Sequence, residues 1–427
     1  MEIIITVVIL IILLIIGMPV GFSLGVAGVV GLWLSGGTDT MLGILRTAPY
    51  KEVTDYVLTT IPMFILMAEF MNQGNMTKKL FQSASQWFGH LKGGMAISTV
   101  MASAGLAAVS GSSTASAAGM SAIAVPEMRK YNYDDKVSVG VVSVAGTLAF
   151  MIPPSTILII YGILTETSIA QLFVAGIVPG LITIVGYCIA IYWWVKRHPD
   201  VAPNMDKTAF KERVKGLKDI WSVLLLAIVV IFAIYTGVVT PTEAGAFGSF
   251  CALLIVLIQR KINYTGIKKA LANTIQVTAK IFIIIIGAMI FGYFLTITNS
   301  VQDLINMVQS LDVNRWIVFS IIIIAYLILG CFMDQTAILF LTIPLTFPVV
   351  LALGFDPIWF GIVIAKTVEI GLATPPLGLN VFIAASNADV KLGTAFRGAG
   401  RLIVADFIIL VLLISLPSVV MWLPNLM

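Results

Sequence analysis

The sequence predicts an all-α polytopic membrane protein built from two related halves. Of its 427 residues, 59% are hydrophobic and only 11% are charged, whereas soluble domains carry about 25% charged residues. Apolar runs of roughly 20 residues, the length that a helix needs to cross a bilayer, recur along the chain. Prolines and interrupted apolar segments also repeat at a constant spacing. The three cysteines, Cys188, Cys251 and Cys331, lie far apart and show no metal-ligand pattern.

The first half is predicted to cover residues 1–195. The chain enters an apolar run at Ile3 without a basic segment before it, which favours a retained span over a signal peptide. Residues 3–34 are too long for one comfortable helix and are interrupted at 17–21. We therefore predict two short spans there, with a single broken helix as the alternative. The other predicted segments are spans at 56–71, 137–164 and 170–195, an amphipathic interfacial helix at 75–91 and an apolar hairpin at 94–125.

The hairpin at about 94–125 is interrupted by the small polar residues Ser110, Gly111, Ser112, Ser113 and Thr114. Lipid cannot satisfy the backbone groups that a helix break leaves unpaired, so such a break persists only inside protein or beside a watery cavity. Basic residues at both ends of the segment predict a re-entrant hairpin that enters and leaves the membrane on one side. Close packing of a small-residue helix face is the alternative on these residues alone.

The second half is predicted to cover residues 221–427, after a basic cytoplasmic linker at 196–220. An amphipathic segment has Val301, Leu304, Ile305, Val308 and Leu311 on one face. A second apolar hairpin is predicted at about 316–350, with its break at 330–336. The predicted spans of this half are 221–235, 244–258, 274–297, 357–386 and 402–423.

A constant offset of 222 residues relates the two halves. It joins four pairs of prolines without a gap: Pro19 and Pro241, Pro126 and Pro348, Pro153 and Pro375, and Pro154 and Pro376. The same offset aligns residues 112–114 of the first break with residues 334–336 of the second. Prolines that only interrupt helices would not be expected to recur at one constant offset. The chain is therefore predicted to contain an internal duplication.

The distribution of lysine and arginine predicts how the halves are oriented. With five spans in each half, two non-crossing hairpins and the N-terminus outside, the inner segments hold 20 basic residues and the outer segments hold Arg46, Lys51 and Arg315. Lys280 and Lys366 remain inside spans. Because five is odd, the second half enters from the opposite face. The duplication is therefore predicted to be inverted, with the first hairpin open to the cytoplasm, the second open to the outside and both termini outside.

Inverted repeats with matching helix breaks indicate a secondary transporter. Half-helix N-termini attract an anionic substrate, while freed carbonyls and hydroxyls are hard oxygen ligands for Na⁺. We predict two Na⁺ sites with the substrate between the hairpin tips. The first Na⁺ site consists of Ser110, Gly111, Ser112, Ser113, Gly146 and Pro153, and the second of Gly330, Asp334, Thr336, Gly371, Thr374 and Pro375. The candidate substrate contacts are Ser113, Thr114, Pro154, Ser155, Pro376 and Asn380.

Charged residues at membrane depth are few. Asp334 has no acidic counterpart in the first half, which favours a cation ligand or proton carrier over a packing role. Lys366 and Glu369 are predicted to neutralise each other on one helix face. Glu69 and Glu243 are predicted to lie near the membrane interface.

Other function classes receive little support from the sequence. The serine-rich break has no general base in a recognisable motif, and no metalloprotease or nucleotide-binding motif occurs, so no enzyme, cofactor or nucleic-acid partner is predicted beyond Na⁺ as the coupling ion. A channel is the alternative from another class, because re-entrant loops also build selectivity filters.

The whole chain resembles the large membrane subunit (M, or DctM-like) of the TRAP transporters, the tripartite ATP-independent periplasmic transporters. Each matching piece is short, but the set is specific. The pieces are Gly-Ser-Ser-Thr-Ala-Ser-Ala at 111–117, Pro-Glu-Met at 126–128, Ile-Pro-Pro-Ser at 152–155, Glu-Ala-Gly-Ala-Phe-Gly at 243–248 and Thr-Pro-Pro-Leu-Gly-Leu-Asn at 374–380.

The resemblance implies an elevator mechanism in the bacterial inner membrane, with both termini periplasmic. A transport domain holding both hairpins would slide against a scaffold formed with a separate four-helix subunit (Q), and the segments at 75–91 and 299–313 would be arms between them. A periplasmic binding protein (P) would deliver an organic acid, whose uptake Na⁺ drives. Sialic acid is favoured over C4-dicarboxylates, and a Na⁺/carboxylate symporter without a binding protein is the alternative.

Overall fold

A computed structural model describes residues 1–310 and 313–427, apart from the side chain of Glu52. Within these residues the chain forms nineteen α-helices and no strand. Seven of the described helices are long and apolar enough to cross a membrane. The predicted class, an all-helical polytopic membrane protein, is therefore confirmed.

Nine helices form the described first half of the chain. They are α1 (Glu2–Ile15), α2 (Val20–Val53), α3 (Thr60–Gln73), α4 (Met76–Phe88), α5 (Gly94–Ser110), α6 (Ser113–Lys130), α7 (Asp135–Ala145), α8 (Thr156–Thr165) and α9 (Ile169–Arg197). Residues 3–34 are divided between two helices, as preferred from the sequence. The second of them is longer than predicted, because α2 continues through a kink at Gly37, where φ is +73°.

Ten helices form the described remainder of the chain. They are α10 (Phe210–Tyr235), α11 (Pro241–Ile258), α12 (Tyr264–Ile297), α13 (Ser300–Ser310), α14 (Arg315–Gly330), α15 (Gln335–Ala352), α16 (Pro357–Ala373), α17 (Leu379–Ala388), α18 (Leu392–Ser415) and α19 (Pro417–Met421). Three of them, α10, α12 and α18, begin about ten residues before the predicted apolar spans. Leu311, predicted on the amphipathic face of α13, lies outside the described residues.

The early start of α10 shows why these boundaries differ. Residues 210–219, which were predicted as linker, are helical and include Lys211, Glu212 and Arg213. Such long-chain polar residues are strong helix formers. An apolar run marks only the part of a helix that suits lipid, whereas the helix itself continues into the polar interface.

Both predicted hairpins are broken where the sequence changes to small or polar residues. In the first hairpin, α5 ends at Gly111, which adopts φ +58°, and the Ser112 hydroxyl accepts a hydrogen bond from the Ala115 backbone N–H at 3.4 Å. In the second, the Asp334 carboxylate accepts hydrogen bonds from the Thr336 and Ala337 backbone N–H groups at 2.9 and 3.2 Å. Each tip is therefore an N-terminal cap of the following helix.

The helices that follow the hairpins are interrupted at the double prolines. The chain leaves α7 through a 3₁₀ turn at Gly146–Phe150 and resumes as α8, and it is interrupted again between α16 and α17. The Pro153–Pro154 and Pro375–Pro376 peptide bonds are both cis. The broken helices pack against the hairpins of the opposite half, since α6 contacts α17 and α15 contacts α8. A second group of contacts pairs α2 with α12 and α3 with α11.

Candidate ion and substrate site

Both hairpin breaks open onto one cavity of about 500 Å³, a size typical of small-molecule sites. Its remaining walls come from α3, α8, α12, α16 and α17. The polar residues that line it from the hairpins are Ser110, Ser112 and Thr114 of the first and Asp334, Gln335 and Thr336 of the second. The cavity therefore joins two chain segments that are 222 residues apart in sequence.

Hydrogen bonds connect the two hairpin tips through α8. The Gln335 side-chain amide donates to the Thr156 hydroxyl at 3.3 Å, and that hydroxyl donates to the Gly111 carbonyl at 2.7 Å. A Cβ atom on Gly111 would lie 2.8 Å from the Pro154 carbonyl oxygen, so only glycine permits this approach. The first tip is thus held against the broken helix of its own half.

Three predicted substrate contacts carry buried polar atoms without partners. The hydroxyls of Ser113 and Ser155 and both side-chain amide atoms of Asn380 have no hydrogen-bond partner in the described residues, and all three residues are fully buried. Buried polar atoms in proteins almost always have a partner. Atoms of this kind are available to bind an ion, a ligand or water. None of the three residues lines the 500 Å³ cavity itself.

The residues predicted for the second Na⁺ site are only partly brought together. A Cβ atom on Gly371 would lie 2.6 Å from the Gly330 Cα, so the end of α14 touches α16. The Thr374 backbone N–H donates to the Gly371 carbonyl at 3.0 Å. Asp334 and Thr336 lie on the cavity wall. Pro375 is exposed and does not line the cavity, and the same holds for Pro376.

Of the residues predicted for the first Na⁺ site, some line the cavity, whereas others are packed between helices and do not line it. Ser110 and Ser112 line the cavity. Gly146 packs against α6, since a Cβ atom there would lie 2.9 Å from the Ala117 backbone nitrogen. Pro153 is buried and does not line the cavity.

Two charged cavity residues were not identified as site residues from the sequence. Lys280 of α12 and Glu69 of α3 both line the cavity. Glu69, which was predicted to lie near the interface, lines the cavity, and its carboxylate accepts a hydrogen bond from the Asn273 side-chain amide at 3.1 Å. Lys280 is the seventeenth of the 34 residues of α12. A lone cation at the middle of an apolar run is the signal that could have identified it.

A buried charge network lies in α16 and α18. The Lys366 ammonium donates to the Glu369 carboxylate at 3.0 Å and to the Asp406 carboxylate at 2.5 Å, and all three residues are fully buried. The predicted pairing of Lys366 with Glu369 is confirmed. Asp406 was missed, although it is the one acidic residue of the apolar helix α18.

Hydroxyl groups from two further parts of the chain complete this network. Tyr187 of α9 donates to the Asp406 carboxylate at 2.7 Å, and Thr147 donates to the Glu369 carboxylate at 2.8 Å. The Thr183 hydroxyl accepts from the Lys366 ammonium at 3.3 Å. The network therefore ties α9, α16, α18 and the 3₁₀ turn after α7 to one another.

The fold and the cavity define a polytopic helical membrane protein with a polar site between broken helices, an arrangement typical of membrane transporters. A solved structure with a similar fold is the YdaH transporter of Alcanivorax borkumensis, at a TM-score of 0.56 and 13% identity over 89% of this chain and 90% of that one. The family model of the tripartite ATP-independent periplasmic transporter, DctM component, matches residues 7–419.

The names of two similar proteins agree with the family that the model identifies. The chain is 33% identical to the C4-dicarboxylate TRAP transporter large permease protein DctM of Pseudomonas aeruginosa, over 94% of each chain. It is 30% identical to the sialic acid TRAP transporter large permease protein SiaM of Vibrio cholerae, over 96% of this chain and 95% of that one. The chain therefore belongs to the DctM family of TRAP transporter large permeases. These relatives are transporter permease subunits and not enzymes.

Proposed function

We propose that the chain is the permease subunit of a TRAP transporter that takes up an organic acid together with Na⁺ by an elevator movement. The observation that carries the proposal is the single cavity between the two hairpin tips and the helices α3 and α12. The acid would belong to the class that includes sialic acids and C4-dicarboxylates, which are the substrates in the names of the two relatives.

Matched helix positions support an internal repeat. The helices α6 and α15 both have 18 residues, and their first residues, Ser113 and Gln335, are 222 positions apart, as are their last, Lys130 and Ala352. Their packing partners correspond too, because α6 contacts α17 while α15 contacts α8, and α7 contacts α18 while α16 contacts α9. Equivalent helices with equivalent neighbours are expected of two copies of one fold.

One hydrogen bond supports a two-fold relation between these copies. Thr147 and Glu369 are themselves 222 positions apart, and the Thr147 hydroxyl donates to the Glu369 carboxylate at 2.8 Å. A residue can touch its own equivalent only where both lie next to the axis that relates the copies. With five helical crossings in each half, an inverted arrangement also agrees with the segregation of lysine and arginine.

The division of the cavity walls supports an elevator mechanism. The hairpins and the broken helices contact one another, whereas α2 pairs with α12 and α3 pairs with α11. The two groups meet where α3 contacts α5 and where α12 contacts α15. We assign the first group to the moving transport domain and the second to the scaffold. The amphipathic helices α4 and α13, which lie in sequence between scaffold helices and hairpins, would connect the two.

Lys280 suggests how the scaffold recognises a carboxylate. Its side chain is exposed to the cavity and, among the described residues, has no acidic group within 4.0 Å. An unpaired cation at mid-membrane depth is costly unless it faces a functional cavity. A substrate carboxylate would neutralise it while the hairpin tips supply hydroxyls and backbone N–H groups.

The candidate Na⁺ ligands lie at the two tips. Ser110, Ser112 and Asp334 line the cavity, and their side-chain oxygens are ligands of the kind that Na⁺ prefers. The unpaired buried hydroxyl of Ser113 lies one residue from Ser112. We assign one ion to each tip, with the organic acid between them.

Family membership supports the remaining components. A small four-helix membrane subunit (Q) would complete the scaffold, and a periplasmic binding protein (P) would deliver the acid. The permease would then reside in a bacterial inner membrane with both termini on the periplasmic side.

Uptake into proteoliposomes tests the proposal. The chain is reconstituted with its small subunit, a candidate binding protein and its labelled acid, under an inward Na⁺ gradient. We expect saturable accumulation that requires both Na⁺ and the binding protein. Accumulation without a binding protein would identify a simple symporter, and Na⁺-independent, non-saturating flux would identify a channel.

The variant Lys280→Gln tests carboxylate recognition separately. Loss of a charge-assisted hydrogen bond costs about 1.5–3 kcal/mol, so we expect the half-saturating acid concentration to rise about tenfold or more. The half-saturating Na⁺ concentration should not change. Lys268→Gln is the matched control, because Lys268 is exposed on the same helix and does not line the cavity. If Lys280→Gln and Lys268→Gln had the same half-saturating acid concentration, Lys280 would be excluded as the residue that recognises the carboxylate.

A further inference from the structure

A groove between α9 and α18 has a basic end and an apolar body. Its volume is about 610 Å³, and Arg197, His198 and Arg401 line one end of it. The apolar side chains in its wall include Ile189 and Trp193 of α9 and Val404, Ala405, Ile408 and Ile409 of α18. None of the residues predicted for Na⁺ or substrate belongs to this groove, so it is separate from the transport cavity.

The two arginines are held by aromatic rings and not by acids. The Arg401 guanidinium lies 4.2 Å from the ring centroid of Trp194, and the Arg197 guanidinium lies 5.6 Å from that of Trp193. Within the described chain, no carboxylate is within 4.0 Å of either arginine. Stacking fixes these cations in place but leaves their charge free for an external anion.

The length of the groove fits one leaflet of a bilayer. Along α9 it extends from Gly186 to His198, the residue that follows the helix, and on α18 it extends from Arg401 to Ile409. At 1.5 Å per residue these stretches measure about 18 and 12 Å, and half of a hydrocarbon core of about 30 Å is about 15 Å. A second groove of about 530 Å³, between α5 and α9, shares Ile189 and Trp193 with the first and is almost entirely apolar.

We propose that this surface binds an anionic phospholipid. The phosphate would lie between Arg197 and Arg401, one acyl chain would follow the groove between α9 and α18, and the other would follow the groove between α5 and α9. Basic residues near the membrane surface attract anionic lipids, and basic pockets between membrane helices bind their headgroups. Charge complementarity therefore favours an anionic phospholipid over a zwitterionic lipid, and the long apolar body favours it over free phosphate.

The bound lipid would also join the two halves of the chain, because α9 belongs to the first half and α18 to the second. Both helices contribute to the buried network, through Tyr187 and Asp406 respectively. The lipid would thus cover the outer side of the contact between α9 and α18. The inner side of that contact is held by the buried network to which Tyr187 and Asp406 belong.

Native mass spectrometry of the full-length chain tests the proposal, with phosphatidylglycerol and phosphatidylcholine of identical acyl chains as probes. We expect selective retention of phosphatidylglycerol by the unmodified chain. The double variant Arg197→Gln/Arg401→Gln should weaken that binding about 30-fold, because each basic residue contributes about 1 kcal/mol. Arg397→Gln, an exposed arginine one turn earlier on α18 that does not line the groove, is the matched control and should bind as the unmodified chain does.

A second variant tests the acyl groove without a change of charge. Val404→Trp fills the groove and should also weaken phosphatidylglycerol binding, although both arginines remain. Equal retention of the two lipids, or unchanged affinity in the double variant, would overturn the proposal. Displacement of phosphatidylglycerol by inorganic phosphate at equal concentration would also overturn it, because it would identify a free-phosphate site.

Discussion

Replacing Lys366 with methionine should destabilise the fold strongly. The Lys366 ammonium is the one positive charge shared by the fully buried carboxylates of Glu369 and Asp406, at 3.0 and 2.5 Å. Removing one partner of a buried ion pair leaves an uncompensated charge, which typically costs 3–5 kcal/mol. For a chain of 427 residues, with about 2.1 cal/mol/K of unfolding entropy per residue, a loss of about 4 kcal/mol lowers Tm by about 4–5 °C.

Thermal unfolding of the purified chain in detergent, followed by tryptophan fluorescence, measures this shift. Lys268→Met is the control, because this exposed lysine of α12 has no acidic partner within 4.0 Å among the described residues. The triple variant Lys366→Met/Glu369→Gln/Asp406→Asn removes every charge of the network and should recover most of the lost stability. If Lys366→Met unfolded at the same temperature as Lys268→Met, the attribution of stability to this network would be refuted.

Two further predictions concern Na⁺ and topology. Ser112→Ala and Asp334→Asn should each raise the half-saturating Na⁺ concentration for uptake about tenfold. Asparagine is chosen because it preserves the helix cap that Asp334 provides. An unchanged half-saturating Na⁺ concentration in both variants would remove these residues from the ion sites. Single cysteines at Lys130 and Arg315, in a chain without its native cysteines, should react with an impermeant thiol reagent from opposite membrane faces. Reaction from the same face would contradict an inverted repeat.

The helix breaks were the most predictable part of the fold. They follow from local chemistry, because glycine, proline and small hydroxyl residues interrupt apolar runs and leave backbone groups that need partners. The first break was predicted at residues 110–114, and the helices α5 and α6 end and begin there. The second was predicted at 330–336, between α14 and α15. The double prolines likewise separate α7 from α8 and α16 from α17.

Residues whose role depends on distant partners were less predictable. The sequence alone showed that Lys280 and Glu69 are charged residues within apolar runs, but only the packing of α3 and α12 places both on the cavity wall. Asp406 is 40 residues from Lys366, so no helical periodicity relates them. By contrast, Lys366 and Glu369 are three residues apart on one helix, and their contact could be predicted from spacing.

Polar groups in the interior of this protein separate into those that bind one another and those that have no partner in the described residues. Lys366, Glu369 and Asp406 bind one another in the folded chain, although one oxygen of the Glu369 carboxylate has no partner in the described residues. Ser113 and Asn380 have buried polar atoms without partners in the described residues, and Lys280 faces the cavity without an acidic partner there. Since an unpaired buried polar group costs about 1–3 kcal/mol, an ion or ligand that reached Ser113 or Asn380 would offset that cost. The first kind therefore ties helices of the chain to one another, and under the proposed function the second kind would favour binding of the ion and the acid.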